Sequence, residues 1–464
     1  MNETPLWCWP ELCEACEVRR VPGPDVCGVS IDSRSMVPGE LFIALSGDPG
    51  PRFHSSGSSG RNGHDFLPQA VAGGAAGVMI SRAIDVNCPA IIVPDTLDGL
   101  WAIGAYARRR MSGRVAAITG SSGKTTARIW LGEILSRLGQ SHASLGSLNN
   151  HWGVPLSLAR MPREADFGLF EIGTNNAGEI APLAKLVSPD VALVLNVLPA
   201  HLGRFESLAA LTMEKLSISE GLDSGGTLVL PASLAVHGGQ PGTRMLTFGM
   251  AGVDADADVL GSWQQIGDLS EVNVKVGDRS WTYHMTVTGE HQIGTSVAVI
   301  AMLYALNMDL SECTRYFSAL KLPEGRGNPI KVGNVTIIDD SYNANPVSVR
   351  YALRALSAYE GQRVAILGEM LELGEAGPAM HQSLAADCHD LDGVITVGEG
   401  YKGWQHQLGE RYWGHFNQCA DIDLSTLSAR LVPDAHLLVK GANKVFWVHE
   451  FVAKLRHAID TRQG

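Results

Sequence analysis

The sequence predicts an α/β protein of three domains. Short apolar runs that read as buried strands alternate with stretches of helical period, the pattern of mainly parallel sheets covered by helices. That alternation begins afresh after a stretch punctuated by proline and glycine, 323–329. The length, 464 residues, suits two to four domains better than one. The expected divisions are 1–95, 96–318 and 319–464.

In the first region, strand-like runs fall at 41–45, 77–80 and 90–93, with an Ala/Gly-rich helix near 70–76. Residues 7–18 read as a short helix. Between the strands, His54-Ser55-Ser56-Gly57-Ser58-Ser59-Gly60-Arg61-Asn62-Gly63 has the composition of a flexible surface loop. Eight cysteines occur at 8, 13, 16, 27, 88, 313, 388 and 419. Without a secretion signal they read as free thiols. The spacing around Cys13-x-x-Cys16 does not match a pair of zinc knuckles.

The middle region carries buried-strand runs at 115–119, 168–171, 191–196 and 227–230, a small β-appendage at 272–287 and a helix at 293–306. Its first strand leads into Thr119-Gly120-Ser121-Ser122-Gly123-Lys124-Thr125-Thr126. A glycine-rich turn opening a helix can wrap a phosphate. Its N–H groups point at the oxygens, a lysine meets the charge and a threonine hydroxyl can hold Mg²⁺. The full pattern wants a glycine where Ile118 stands, so this loop is a shortened variant. The plainer reading, glycines serving only a turn, is weakened by the strand before the loop and the amphipathic helix after it.

Ligand sites in open parallel sheets lie beyond the carboxyl ends of the strands. Glu171 ends such a strand, and a carboxylate there suits a hard cation. His201 and Lys215 follow the next strand; each alone reads most simply as an ordinary histidine and a surface lysine. In the third region, strands are expected at 335–339, 364–367, 393–397 and 437–439. Arg326 precedes the first of them, and Asp339-Asp340-Ser341-Tyr342-Asn343-Ala344-Asn345-Pro346 follows it. Such clusters usually make turns, but this one is dense in groups that suit a ribose, a phosphate or a peptide end. Gly368-Glu369-Met370-Leu371-Glu372-Leu373-Gly374 and Lys440-Gly441-Ala442-Asn443-Lys444 close two further strands.

With 36 basic and 48 acidic residues the net charge is −12, which argues against nucleic acid or an anionic membrane as the main partner. No signal peptide is visible and no apolar run reaches the length of a membrane span, so a cytoplasmic enzyme without stable membrane insertion is expected.

Taken together, these motifs resemble the Mur ligases, which build the peptide stem of the bacterial cell wall. The likeness covers nearly the whole chain. It rests on Asp32-Ser33-Arg34 and Gly63-His64-Asp65-Phe66, on the phosphate loop, on Leu148-Asn149-Asn150-x-x-Gly153-Val154-Pro155, and on Glu171-Ile172-Gly173-Thr174-Asn175-Asn176 and Pro199-Ala200-His201-Leu202. The strings from Asp339 to Pro346 and from Glu369 to Gly374 are similar to the branch that adds D-alanyl-D-alanine.

The resemblance implies a central P-loop-type parallel sheet flanked by helices, a first domain that binds UDP-muramoyl substrate, and a Rossmann-like C-terminal domain that closes on ATP. It implies an ATP- and Mg²⁺-dependent amide ligase, acting as a monomer on UDP-N-acetylmuramoyl-tripeptide and D-Ala-D-Ala through an acyl phosphate. Catalysis would fall to Lys124, His201, Lys215 and Arg326. ATP would be held by Gly120, Ser121, Ser122, Gly123, Lys124, Thr125, Thr126, Arg326, Asp340 and Asn343. Metal would be held by Thr125, Glu171, His201 and Lys215, the last matching a lysine that is carbamylated in many relatives. Substrate would meet Asp32, Ser33, Arg34, Asn149, Asn150, Thr174, Asn175 and Asn176. Three features depart from the family's pattern: Gln292 and Thr295 where asparagines are common near adenine, Ala442-Asn443 where serine and arginine are usual, and the loop 55–62. Two other readings stay open: a related ligase for another amine, and a non-catalytic nucleotide-binding regulator on the same scaffold. The Asp-Asn-Pro-Arg motif of the diaminopimelate-adding enzyme is absent.

Overall fold

The computed structural model describes residues 5–49, 53, 60–146, 148–198, 204–267, 269–287, 289–371 and 373–463. His201, the rest of 199–203, loop residues 54–59 and Glu372 lie outside the described residues. The strands group into three sheets that follow one another along the chain.

The first sheet is fully parallel, in the order β1 (Gly28–Ser30), β2 (Glu40–Ile43), β3 (Gly77–Ile80), β4 (Ala90–Ile92). Three of these match the expected runs; β1 is short enough to escape a pattern search. The helix expected near 70–76 is Leu67–Ala72, ending where Gly73 and Gly74 begin. The N-terminal helix, Trp9–Ala15, buries Trp9, Leu12 and Cys13.

The second sheet has nine strands. In chain order they are β5 (Arg114–Thr119), β6 (Ser141–Ala143), β7 (Phe167–Glu171), β8 (Val191–Val194), β9 (Thr227–Pro231), β10 (Arg244–Met250), β11 (Val259–Ile266), β12 (Leu269–Val276) and β13 (Arg279–Met285). In space they run β13-β12-β11-β10-β9-β8-β5-β7-β6. From β6 to β11 every pair is parallel; β12 and β13 add antiparallel pairs, the expected appendage. The chain passes from β5 to the edge strand β6, returns through β7 to lie beside β5, then crosses to β8 on the other side. That reversal opens a crevice at the carboxyl ends of β5 and β8. Two apolar clusters cover the two faces, one around Trp130, Leu131 and Ile300, the other around Phe170, Leu183 and Val194.

The third sheet runs β14 (Asn328–Val332), β15 (Val335–Asp340), β19 (Ala435–Lys440), β16 (Arg363–Gly368), β17 (Gly393–Val397), β18 (Tyr412–Phe416), with only the β14–β15 pair antiparallel. Strand β14 takes up the last residues of the Pro/Gly-rich stretch. Both apolar clusters of this sheet draw solely on residues beyond 329.

Helix Thr96–Arg110 joins the first two sheets. Asp95 caps it, accepting from the N–H groups of Leu97 and Asp98 at 2.7 and 3.1 Å. Its Leu100, Ile103 and Ala107 share one buried cluster with Trp7, Trp9 and Leu41 of the first region and with Leu156 and Ala159 of the middle one. We propose to keep the three-way division at 95 and 318, with this helix as the element common to the first two parts. Among the described residues, no helix is long and apolar enough to cross a membrane.

Candidate active site

The carboxyl ends of the second and third sheets face each other across a cleft of about 980 Å³. The phosphate loop, Asn149, Asn150, Glu171, Thr174 and Asn175 line one wall; Arg326, Asp340 and Asn343 line the other.

The phosphate loop is set by its glycines and by one asparagine. Gly123 caps the helix Lys124–Leu135 at φ +79°, and a Cβ there would sit 3.0 Å from Leu195 Cδ2. Parallel pairing puts Thr119 of β5 opposite Val194 of β8, so two residues on Ser121 meets Asn196. The N–H groups of Ser121 and Ser122 both donate to Asn196 Oδ1 at 3.0 Å, and Asn196 Nδ2 donates to the Ser122 carbonyl at 3.0 Å. Ser121 Oγ further bridges to Leu198. These two N–H groups therefore hold the loop's shape, whereas the sequence reading had them facing a phosphate. Lys124 Nζ donates to the Gly120 carbonyl at 2.8 Å. Burial lowers its pKa; Glu171 opposes that shift and Arg326 adds to it.

Beside the loop, Glu171 is 2% exposed. Its Oε2 accepts from Thr125 Oγ1 at 2.8 Å and its Oε1 from Asn149 Nδ2 at 2.9 Å. A threonine hydroxyl and a carboxylate, one hydrogen bond apart, are the hard oxygen donors that Mg²⁺ takes alongside phosphate and water. The donor set therefore fits a nucleotide-borne Mg²⁺. Among the described residues no group of three His, Cys, Asp or Glu side chains stands ready to hold a metal unaided.

Lys215 lies in the helix Leu208–Leu216 and is 3% exposed, not the surface lysine that its sequence suggests by default. Burial pushes its pKa down to about 7; Lys124 adds to the shift and Glu214 opposes it. Glu214 fixes the helix by accepting from the N–H groups of Gly178, Glu179 and Ile180 at 2.7, 3.1 and 2.9 Å, at the start of helix Ile180–Val187. Glu179 in turn shapes the Thr174-Asn175-Asn176 loop: it accepts from the N–H groups of Asn175 and Asn176 and from Asn176 Nδ2. Asn150 also has a local role, its Oδ1 accepting from the N–H groups of Trp152 and Gly153.

On the opposite wall, Asp340 and Lys440 are paired residues of β15 and β19. Lys440, 2% exposed, donates to Asp340 Oδ2 at 2.5 Å and to the Asn343 carbonyl at 3.2 Å. Asn345 caps the helix Pro346–Ser357, the plain turn role. Arg326 lies over the Tyr342 ring at 4.5 Å, and Tyr342 packs edge-on against Trp447. His291 of the second sheet's region stacks on Tyr351 of the third, 5.7 Å between rings. Burial lowers its pKa to about 4; Asp340 opposes the shift and Lys440 adds to it.

Not every expected residue reaches the cleft. Asp32 and Arg34 pair with each other at 2.7 Å, which holds the Asp32 carboxyl down at about 2, and Ser33 bonds Gln69; none of the three lines it. Asn176 and Lys215 lie outside its lining as well. Residues that the sequence reading passed over are Asn196, Glu179, Arg204, which lines the cleft, and Arg128, which lies against Glu171. Only strand register brings Asn196 to the loop.

Residues 118–303 match the model of the Mur ligase middle domain, and residues 325–443 match that of the Mur ligase glutamate ligase domain. A curated relative, the UDP-N-acetylmuramoyl-tripeptide--D-alanyl-D-alanine ligase of Escherichia coli, is 33% identical over 80% of this chain and 81% of its own. The chain belongs to the Mur ligase family. The enzyme of the same name from Mycobacterium tuberculosis is 30% identical over 92% of this chain and 90% of its own. The crystal structure of MurF from Acinetobacter baumannii superposes with a TM-score of 0.85 at 28% identity, covering 98% of this chain and all of that one. As a Mur ligase, the chain has its cleft where the two matched domains face each other.

Proposed function

We propose that this Mur ligase joins D-Ala-D-Ala to UDP-N-acetylmuramoyl-tripeptide at the expense of ATP, the last cytoplasmic step of peptide-stem assembly. One observation carries the reading. A phosphate loop with a Thr125–Glu171 oxygen pair faces Arg326 and Asp340 across a single cleft built by one chain. The relatives' names supply the substrates, and the strings from Asp339 and Glu369 support the same branch.

A carboxylate is a poor acyl donor. Transfer of the γ-phosphoryl group to the tripeptide's terminal carboxylate gives an acyl phosphate and ADP. The amino group of D-Ala-D-Ala then adds to the acyl carbon, and the tetrahedral intermediate collapses to the amide and phosphate. Two anions must meet in the first step, so the site has to supply positive charge. Lys124 meets the β- and γ-phosphates once it leaves the Gly120 carbonyl. Arg326, held over Tyr342, reaches the γ-phosphate as the third domain closes. Thr125 and Glu171 would hold Mg²⁺, which would supply neutralisation of phosphate charge. His201 and Lys215 belong to the acyl-phosphate side. With a pKa near 7, Lys215 is largely a neutral amine in mildly basic solution, the form that takes up CO₂ as a carbamate. Asn149, Asn150, Thr174, Asn175 and Asn176 guide the muramoyl peptide, while Asp32, Ser33 and Arg34 serve the UDP end. We read the enzyme as a monomer in the cytoplasm.

The test is phosphate release from ATP with UDP-muramoyl-tripeptide, comparing D-Ala-D-Ala with single amino acids and other dipeptides. Release that depends on D-Ala-D-Ala supports the reading. Equal release with any amine, or ATP binding without turnover, overturns it.

A further inference from the structure

Arg128 follows Lys124 by one helical turn and is 6% exposed. Its Nε lies 3.7 Å from Glu171 Oε2, an ion-pair distance too long for a good hydrogen bond, while Nη2 donates to the Gly146 carbonyl at a long 3.4 Å. Burying a guanidinium is costly unless it is well paired, and an apolar side chain of similar length would fill this position at lower cost. A poorly hydrogen-bonded cation therefore faces the carboxylate expected to hold metal.

The surroundings add to the charge. Arg326 acts through space on both Lys124 and Arg128, and Glu171 counters it at each. A bare divalent cation approaching Thr125 and Glu171 meets fixed positive charge at close range. A triphosphate arriving with the metal reverses that balance.

We propose that Arg128 is a positioning residue that keeps Glu171 occupied and bars free divalent cations from the phosphate loop, so that metal enters only with the nucleotide's phosphates. The proposal rests on the reading of Thr125 and Glu171 as the metal-holding pair. Arg128 acts through Glu171 and touches no reacting atom.

Mn²⁺ alone is the probe, its binding to the full chain followed by electron paramagnetic resonance without nucleotide, then with ADP. In Arg128→Met, Mn²⁺ alone should bind about tenfold tighter or more than in the parent, and Arg128→Lys should match the parent. Metal-free ADP should bind several-fold more weakly to Arg128→Met, because a cation is lost. A merely structural role would move both affinities the same way. Arg128→Gln replaces the Met variant if the latter fails to fold. Unchanged or weaker binding of Mn²⁺ alone in the charge-removing variant overturns the proposal, as does a parent protein that binds Mn²⁺ equally well with and without ADP. A separate result marks failure of the underlying reading: Mn·ADP binding unaffected by Glu171→Gln.

Discussion

The turns after β5 and β15 both close a parallel strand at the cleft, yet they are held in different ways. After β5 the latch is neutral. Asn196 takes two backbone N–H groups, leaving Lys124 tied only to a carbonyl of its own loop. After β15 the latch is charged: Lys440 spends its ammonium on Asp340 and on the Asn343 carbonyl. A neutral latch leaves positive charge free for an incoming anion, while a charged one spends it on rigidity. The middle region thus offers charge to the ligand and the third offers mainly a shaped wall, with Arg326 as a cation facing the cleft.

The contrast can be broken first at Lys124. Lys124→Ala should lower ATP-dependent turnover by about a hundredfold or more while the thermal unfolding profile keeps its shape; full activity would sink the site assignment. Lys440→Met should show the reverse profile. It strands Asp340 without its partner and should cost about 2–3 kcal/mol, measured by chemical denaturation, with part of the loss recovered by adding Asp340→Asn. Asn196→Ala comes next: losing the latch should cost about 1 kcal/mol and raise KM for ATP roughly fivefold, with kcat less affected.

The smallest effect concerns His291, which touches both walls. Its folded pKa is near 4 against an ordinary 6.5. As pH falls through that window the unfolded chain takes up a proton that the folded one refuses, so stability is lost toward pH 4. His291→Gln should flatten the slope by at most about one proton in the linkage. An unchanged slope would place the titration elsewhere.

Legibility in the sequence tracked distance along the chain. The loop from Gly120 to Thr126 is local: residues six apart dictate strand, turn and helix start, so its pattern shows. Strands β7, β8, β16 and β17 are apolar runs and were equally plain. Strand β10 passes from exposed to buried residues and β18 is half-buried throughout, so neither presents a uniformly buried run. The latches were invisible because each joins residues about 75 to 100 positions apart through strand register. Lys215 read as a surface residue because nothing nearby in sequence announces that Glu214 anchors its helix in the interior. Asp32 and Arg34 satisfy each other two residues apart, a pairing as local as any, and chain proximity said nothing of their distance from the cleft.

Helix Thr96–Arg110 has a practical corollary. Its cluster draws apolar side chains from both of the first two sheets, whereas the third sheet's clusters are self-contained. A fragment starting at residue 96 would shed Trp7, Trp9 and Leu41 from that cluster, leaving Leu100, Ile103, Leu156 and Ala159 wet and prone to aggregate. Among the described residues, a cut near residue 323 divides no such apolar cluster. Separate expression of the two pieces on either side of that cut, followed by mixing, is the form in which this ligase is best taken apart and rebuilt.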